Sequence, residues 1–325
     1  MTESVAATEL KDRARGCIIG GAIGDAMGGP FEGQRGPLRF HEHSDWMISD
    51  DTQLTLATCE SIIEAGKVSP EHIADRFVQW YRAGRITGMG SSTLKALRDL
   101  DAGNHWALAG AKGEMAAGNG AAMRIAPLAF NLHPALADHR QTIRDVCRIT
   151  HHNEESYVGA LAMVAATRSL VFQDSASPAQ PLANALRYLP DSRVRDRTLQ
   201  LSELPDDLDL ADVGSQFGSS GYVVDSVPLA LYAARDIDRR PFDVGIRNVI
   251  EAGGDTDTIA SMTGQIAGAW LGVSRIPREI IELLPDSANI ERTADKFCGD
   301  PIVSGLVFPV LSCSLWASKT LHGKE

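Results

Sequence analysis

The chain has 325 residues, 44% of them hydrophobic and 22% charged, with a formal net charge of −11. That length buries a full core without covalent staples, and the balance of apolar to charged residues excludes a disordered or membrane-embedded protein. Net acidity argues against nucleic acid and anionic membrane as partners, because those surfaces select Lys and Arg.

Period-3.6 spacing of apolar residues dominates, and strand-like alternation is scarce. The opening "MTESVAATEL" has no apolar signal core, and a cytoplasmic protein is expected. The first predicted helix covers 9–28 and carries Gly16, Gly20, Gly24 and Gly28, one every fourth residue. An interior helical glycine costs about 1 kcal/mol relative to alanine, so the stripe predicts that another helix backbone or a ligand comes close. This helix ends in "GDAMGGPFEG", which puts Asp25 near its end and Glu32 on a loop. Helices follow over 52–66, 70–83 and 91–101, the last after a Gly-Met-Gly. Gly118, Asn119 and Gly120 precede a helix predicted over 120–131, where backbone N–H groups face forward and suit phosphate or ribose oxygens. Helices over 139–149 and 155–173 flank "THHNEES", with His151 and His152 between them.

Between about 174 and 220 the chain turns polar, and "DSASPAQP" and "LPDDLDLADVG" mark loops on a charged surface excursion. Helices over 226–236, 241–252, 257–272 and 277–284 complete an all-α pattern. The apolar run from Ile302 is broken by Pro309 and is shorter than the ~18–20 residues of a membrane span, so it is expected to pack on the same core. No linker separates two self-sufficient halves, and residues 1–325 are read as a single, monomeric domain. Cys17, Cys59, Cys147, Cys298 and Cys313 are scattered, odd in number and never arranged as C-x-x-C. They fit reduced thiols and give no disulfide or zinc framework.

One theme recurs. "SDDTQ", Ser49 to Gln53, opens one predicted helix, and "GGDTDT", from Gly253, opens another some two hundred residues later. Asp, Ser and Thr are favoured helix caps, and a carboxylate there complements the helix dipole. Successive helical residues diverge by about 100°, so Asp50 and Asp51 cannot easily share one capping role, and Asp255 and Asp257 raise the same difficulty. If the two helix starts meet, four carboxylates and the hydroxyls of Ser49, Thr52 and Thr258 surround one cavity. Four unpaired buried charges would be prohibitive, and two divalent cations would neutralise them. An all-oxygen donor set favours Mg²⁺ or Mn²⁺ over zinc. There is no G-x-S-x-G, Walker A or GxGxxG after a strand, which removes serine-hydrolase, P-loop and Rossmann readings. "DDTQL" also lacks the last acid of the D-D-x-x-D that helical terpenoid synthases use to hold diphosphate.

In chain order, "GCIIGGAIGDAMGGPFEG", "SDDTQLTL", "GNGAAMRIAPLAF", "THHNEESYVGALA", "SVPLALYA" and "GGDTDTIASMTGQIAGAWLG" resemble the ADP-ribosylglycohydrolase family over about residues 13–273. The resemblance implies a compact orthogonal helical domain with a dinuclear Mg²⁺ or Mn²⁺ centre. It further implies hydrolysis of the N- or O-glycosidic bond between ADP-ribose and an acceptor, either a protein or a small molecule. By position it makes Ser49, Asp50, Asp51, Asp255, Asp257 and Thr258 metal ligands, and it makes Gly118, Asn119, Gly120 and His151 lining of the ADP-ribose groove. Glu32 falls on the family's acidic position seven residues after the G-D pair, and with Asp51 and Asp257 it forms the expected catalytic set. Ser49 stands where many members have Thr, and no family motif covers 174–220. The competing expectation is an inactive ADP-ribose-binding or structural member of the same fold.

Overall fold

The glycine stripe of the first helix meets a second stripe of small residues, and the described helices pack around that seam. The computed structural model describes residues 2–42, 45–172, 180–205, 208–236 and 239–299. Within them the helices are α1 (Thr2–Gly28), α2 (Asp50–Ala65), α3 (Pro70–Arg82), α4 (Ser91–Asp101), α5 (Trp106–Ala109), α6 (Ala137–Arg148) and α7 (Glu154–Val171). They continue with α8 (Pro181–Leu186), α9 (Arg193–Ser202), α10 (Leu210–Phe217), α11 (Val223–Ala233), α12 (Phe242–Glu251), α13 (Thr256–Leu271), α14 (Arg278–Glu282) and α15 (Ser287–Gly299). The strand content of the described residues is a two-residue parallel pair, β1 (Ala111–Lys112) and β2 (His151–His152), in which Ala111 faces His151.

Helix α1 runs antiparallel to α13. A methyl group placed on Gly16, Gly20 or Gly24 would collide with the backbone oxygens of Gly268, Gly264 and Ala260, and one on Gly28 would lie 2.5 Å from Thr256 O. Gly264 and Gly268 give the reciprocal clearance on α13. The stripe therefore lets two helix backbones touch, as the four-residue repeat predicts. The seam also fixes an end: Thr256 Oγ1 donates to Gly28 O at 2.8 Å, which gives a terminal carbonyl of α1 a partner and brings the N-terminus of α13 beside the C-terminus of α1.

Around the seam lie the apolar faces of α2, α7, α11 and α15, with Leu54, Leu161, Leu229 and Phe297 fully or almost fully buried. Helix α2 opens on Ser49 and closes on Gly66, whose φ of 63° is the left-handed conformation that glycine adopts without strain.

Three expectations are corrected. The helix predicted over 120–131 is instead a run of turns followed by a 3-10 helix, Ala126–Phe130, in which Pro127 supplies no N–H donor. The polar excursion holds three short helices, α8, α9 and α10, which bury Leu182, Ala185, Val194, Leu201 and Val213. Helix α15 went unpredicted although Ile290, Ala294 and Phe297 keep helical spacing on its buried face. The apolar run from Ile302 lies outside the described residues, and so does Cys313. Among the described residues no helix is long and apolar enough to cross a membrane.

Glycines in α1 and α12 should respond oppositely to an added side chain. Gly24→Val must force backbones apart and is expected to cost at least about 3 kcal/mol, the upper end of core overpacking. Gly245, with nothing within 4 Å of an added Cβ, should gain about 0.5–1 kcal/mol as Gly245→Ala. Urea denaturation of the two variants beside wild type measures both, and equal effects would remove the seam argument.

Candidate active site

Because α1 and α13 are antiparallel, the Asp25 turn of α1 faces the first turn of α13. The start of α2 packs against both. Asp25 is 0% exposed, and its carboxylate accepts hydrogen bonds from α2 and from the residue before it. Ser49 Oγ donates to Oδ1 at 2.8 Å, and Ser49 N reaches Oδ2 at 3.0 Å. Thr52 N donates to Oδ2 at 3.1 Å and Thr52 Oγ1 to the same oxygen at 2.5 Å. A carboxylate from another helix thus caps α2, and the helix's own Ser49 adds only a 3.3 Å bond from Asp51 N.

Two three-carboxylate groups result. Oxygens of Asp25, Asp51 and Asp257 lie within 4.8 Å of one another, and so do those of Glu32, Asp255 and Asp257, so Asp257 belongs to both. Thr258 Oγ1 donates to Asp51 Oδ2 at 3.2 Å, which ties the two helix starts together. The loop carrying Glu32 is held to the second start by backbone bonds, Gly33 N to Gly254 O at 2.8 Å and Gly254 N to Gln34 O at 2.7 Å. Gly254 has φ 86° and approaches Ser219 so closely that a Cβ there would collide with it.

Burial raises the pKa of Asp25, Glu32, Asp50, Asp51 and Asp257. Asp50 is pushed up to about 7, first by desolvation and then by Asp25. Asp257 reaches about 9 through desolvation and its neighbour Asp255. Asp25, Asp51 and Glu32 are raised as well, desolvation again coming first. Asp51 Oδ1 is buried without a hydrogen-bond partner. Clustered oxygen donors, an orphaned carboxylate oxygen and mutual repulsion are what a site built for a hard cation requires, and either group could hold a metal ion.

Ser49, Asp51, Asp255, Asp257, Thr258 and Glu32 are all brought together. Asp50 stands slightly apart: it is buried at the first position of α2 and feels Asp25, Asp255 and Glu32, but it belongs to neither close group. Gly118, Asn119 and Gly120 border the cluster. Asn119 Nδ2 donates to Asp255 Oδ2 at 2.5 Å, so this side chain is engaged with the carboxylates rather than open to a ligand. His151 is 3% exposed and sits behind the loop; a Cβ on Gly120 would lie 2.8 Å from its Cε1 and one on Gly118 3.1 Å from its Nε2. Burial and the nearby Arg124 guanidinium push its pKa down to about 3, so it is a neutral support for the loop.

Asp25 is the site residue that sequence reasoning noticed without giving it a task. Its signal was local: a lone carboxylate embedded in a small-residue helix that buries its surroundings.

The raised carboxylates imply a pH dependence. A group whose folded pKa exceeds its unfolded value, here 3.8 for Asp, stabilises the fold below that value and loses the contribution as pH rises through the folded pKa. In EDTA the melting temperature should therefore fall as pH rises through about 7 for Asp50 and about 9 for Asp257. Saturating Mn²⁺ should flatten that fall, as thermal scans from pH 6 to 9 would record.

The ADP-ribosylglycohydrolase family model matches residues 6–305. The chain is 31% identical to ADP-ribosylarginine hydrolase Tri1 of Pseudomonas putida (strain GB-1), covering 88% of this chain and 77% of that protein. It is 29% identical to ADP-ribosylhydrolase ARH3 of Danio rerio, over 84% of this chain and 86% of that one. A solved structure titled ADP-ribosylglycohydrolase-related protein complex superposes with a TM-score of 0.69 at 27% identity, covering 90% of this chain and 99% of its own. The chain belongs to the ADP-ribosylglycohydrolase family of enzymes.

Proposed function

We propose that this protein hydrolyses the glycosidic bond between the distal ribose of ADP-ribose and the nitrogen or oxygen of its acceptor, reversing mono-ADP-ribosylation. The observation that carries the reading is the pair of three-carboxylate groups sharing Asp257. Ser49, Asp50, Asp51, Asp255, Asp257 and Thr258 would hold two divalent cations, Mg²⁺ or Mn²⁺. Held there, such ions would help to orient the substrate and would lower the pKa of a bound water.

The remaining chemistry belongs to the chain. Glu32 is exposed at the rim of the cluster, and its carboxyl makes no hydrogen bond among the described residues. Partial burial, with Asp255 and Asp25 nearby, raises its pKa, so it can hold a proton on Oε and deliver it to the leaving acceptor atom. Asp51, with Oδ1 unpartnered, or Asp257 would take the proton of the attacking water.

Neutral donors suit the diphosphate. Helix α4 begins at Gly90, which provides no side-chain cap, so its first N–H groups stay available. Gly88 lies beside Ser49, and Thr93 lies beside Gly120, which places that helix start between the carboxylates and the Gly118–Gly120 loop. These N–H groups supply positive potential that the acidic chain otherwise lacks.

The test is release of free ADP-ribose from Arg- and Ser-ADP-ribosylated substrates in Mg²⁺, in Mn²⁺ and in EDTA. Release from at least one substrate is expected in metal and is lost in EDTA and in Asp257→Asn. Glu32→Gln should lower kcat by about 10²–10⁴-fold, the usual worth of a general acid. Release that ignores EDTA would sink the metal-dependent reading, and ADP-ribose binding without turnover on either substrate would favour the binding protein.

A further inference from the structure

Asp25 lies in one of the close carboxylate groups, yet its surroundings differ from those of the other members. Its oxygens are already occupied: Oδ1 by the Ser49 hydroxyl and Ser49 N, and Oδ2 by Ser49 N, Thr52 N and the Thr52 hydroxyl. Asp51 in the same group keeps one buried oxygen with no partner. A carboxylate whose oxygens already accept from four donors is a poorer cation ligand than one with an orphaned oxygen.

The hydroxyl of Ser49 shows what the saturation achieves. It has a single proton and two candidate acceptors, Asp25 Oδ1 at 2.8 Å and Asp51 Oδ2 at 3.2 Å. The shorter contact takes the proton to Asp25. One lone pair of Ser49 then accepts from Asp51 N at 3.3 Å, the other is left on the side away from Asp25, and the Asp51 carboxylate is spared from acting as an acceptor to Ser49. Two backbone N–H groups held by the same carboxylate lock the first turn of α2 in that orientation.

Resting on the two-cation reading above, we propose that Asp25 is a positioning residue. By capping α2 from α1 and taking the Ser49 hydroxyl proton, it makes Ser49 an acceptor-only oxygen for the cation site and leaves Asp51 free to ligate. The arrangement is the oxygen counterpart of the carboxylate that orients a metal-binding histidine, where removal of the outer partner costs 10–100-fold in metal affinity. Its anchor is the glycine seam. Gly24 and Gly28, on either side of Asp25, touch the α13 backbone, so the carboxylate cannot drift relative to Asp257.

The test is Mn²⁺ binding by calorimetry on the full chain, with no turnover required. Wild type should bind two ions. Asp25→Asn should also bind two, about 10–100-fold more weakly, and Asp25→Asn combined with Ser49→Ala should be no weaker than the worse single variant, because both remove the same oriented hydroxyl. Binding of a single ion by Asp25→Asn would make Asp25 itself a ligand and overturn the proposal. Unchanged affinity, or losses that multiply in the double variant, would overturn it as well. If circular dichroism shows Asp25→Asn unfolded, Thr52→Val removes one restraint on Asp25 without touching a proposed ligand. It should weaken Mn²⁺ binding by a few-fold, and wild-type affinity in that variant would count against the proposal. Wild-type protein that binds no Mn²⁺ would overturn the two-cation reading, an outcome distinct from wild-type binding that Asp25→Asn leaves intact.

Discussion

Backbone contact between α1 and α13 is the constraint on which the site depends. Four side-chain-free positions on α1 and two on α13 let the helices approach until carbonyl oxygens lie where a Cβ would stand. At that separation the two helices cannot slide or rotate without collision, because close-packed interiors yield little. Asp25 and Asp257 are then fixed by the seam itself, with no flexible side chain in between. Glycine lowers helix propensity at each of these places. The deficit is offset by a rigid platform that could not be built with larger residues.

A second consequence concerns how α2 is capped. A helix start rich in Asp and Ser normally consumes these groups on its own N–H donors. Here the carboxylate of Asp25 does much of that work from a neighbouring helix, through Ser49 N and Thr52 N. Asp50 and Asp51 remain as surplus charge, buried and repelled. At the second start a side chain also intervenes from outside the helix, here as a donor: Asn119 Nδ2 reaches from the Gly118–Gly120 loop to Asp255 Oδ2. The loop expected to meet substrate is therefore mechanically joined to a carboxylate expected to meet metal.

Legibility in the sequence followed the range of the physics. The helical class, the glycine stripe and the pairing of "SDDTQ" with "GGDTDT" were readable because periodicity and capping chemistry are local, and because the surplus of acids over caps demanded a partner. Helices α8 to α10 were missed since each is short, between six and ten residues, so its few buried residues form no extended apolar stripe. The helix expected from Gly120 to Asn131 failed because the Gly-Asn-Gly loop and Pro127 redirect the chain before apolar spacing can decide it. The neutral, enclosed state of His151 was not readable either. It depends on Arg124 and on two glycines lying over the ring, and those are tertiary facts. The task of Asp25 was likewise hidden, since its partners are 24 and 27 residues away on another helix.

The electrostatics also bear on how an acidic protein would bind the diphosphate of the proposed substrate. Asp25, Glu32, Asp50, Asp51, Asp255 and Asp257 are gathered in one region, and the charges that raise the pKa values of Glu32, Asp50, Asp51 and Asp257 are those of one another. Left alone, such a cluster relaxes by taking up protons, and it would repel an anionic ligand. In the proposed two-cation reading, the ions would balance four of the six charges and convert the region from anion-repelling to anion-tolerant. The hydroxyls of Ser49 and Thr258 would add coordination without adding charge, and that of Thr52 hydrogen-bonds Asp25. Backbone N–H groups at the start of α4 then offer neutral donors in place of the lysines and arginines that would collapse onto the carboxylates as salt bridges. In the proposed function, acidic ligands for the metals and uncharged donors for the phosphates would be two halves of one solution. Packing α1 against α13 supplies the first half, and setting the start of α4 beside Ser49 supplies the second.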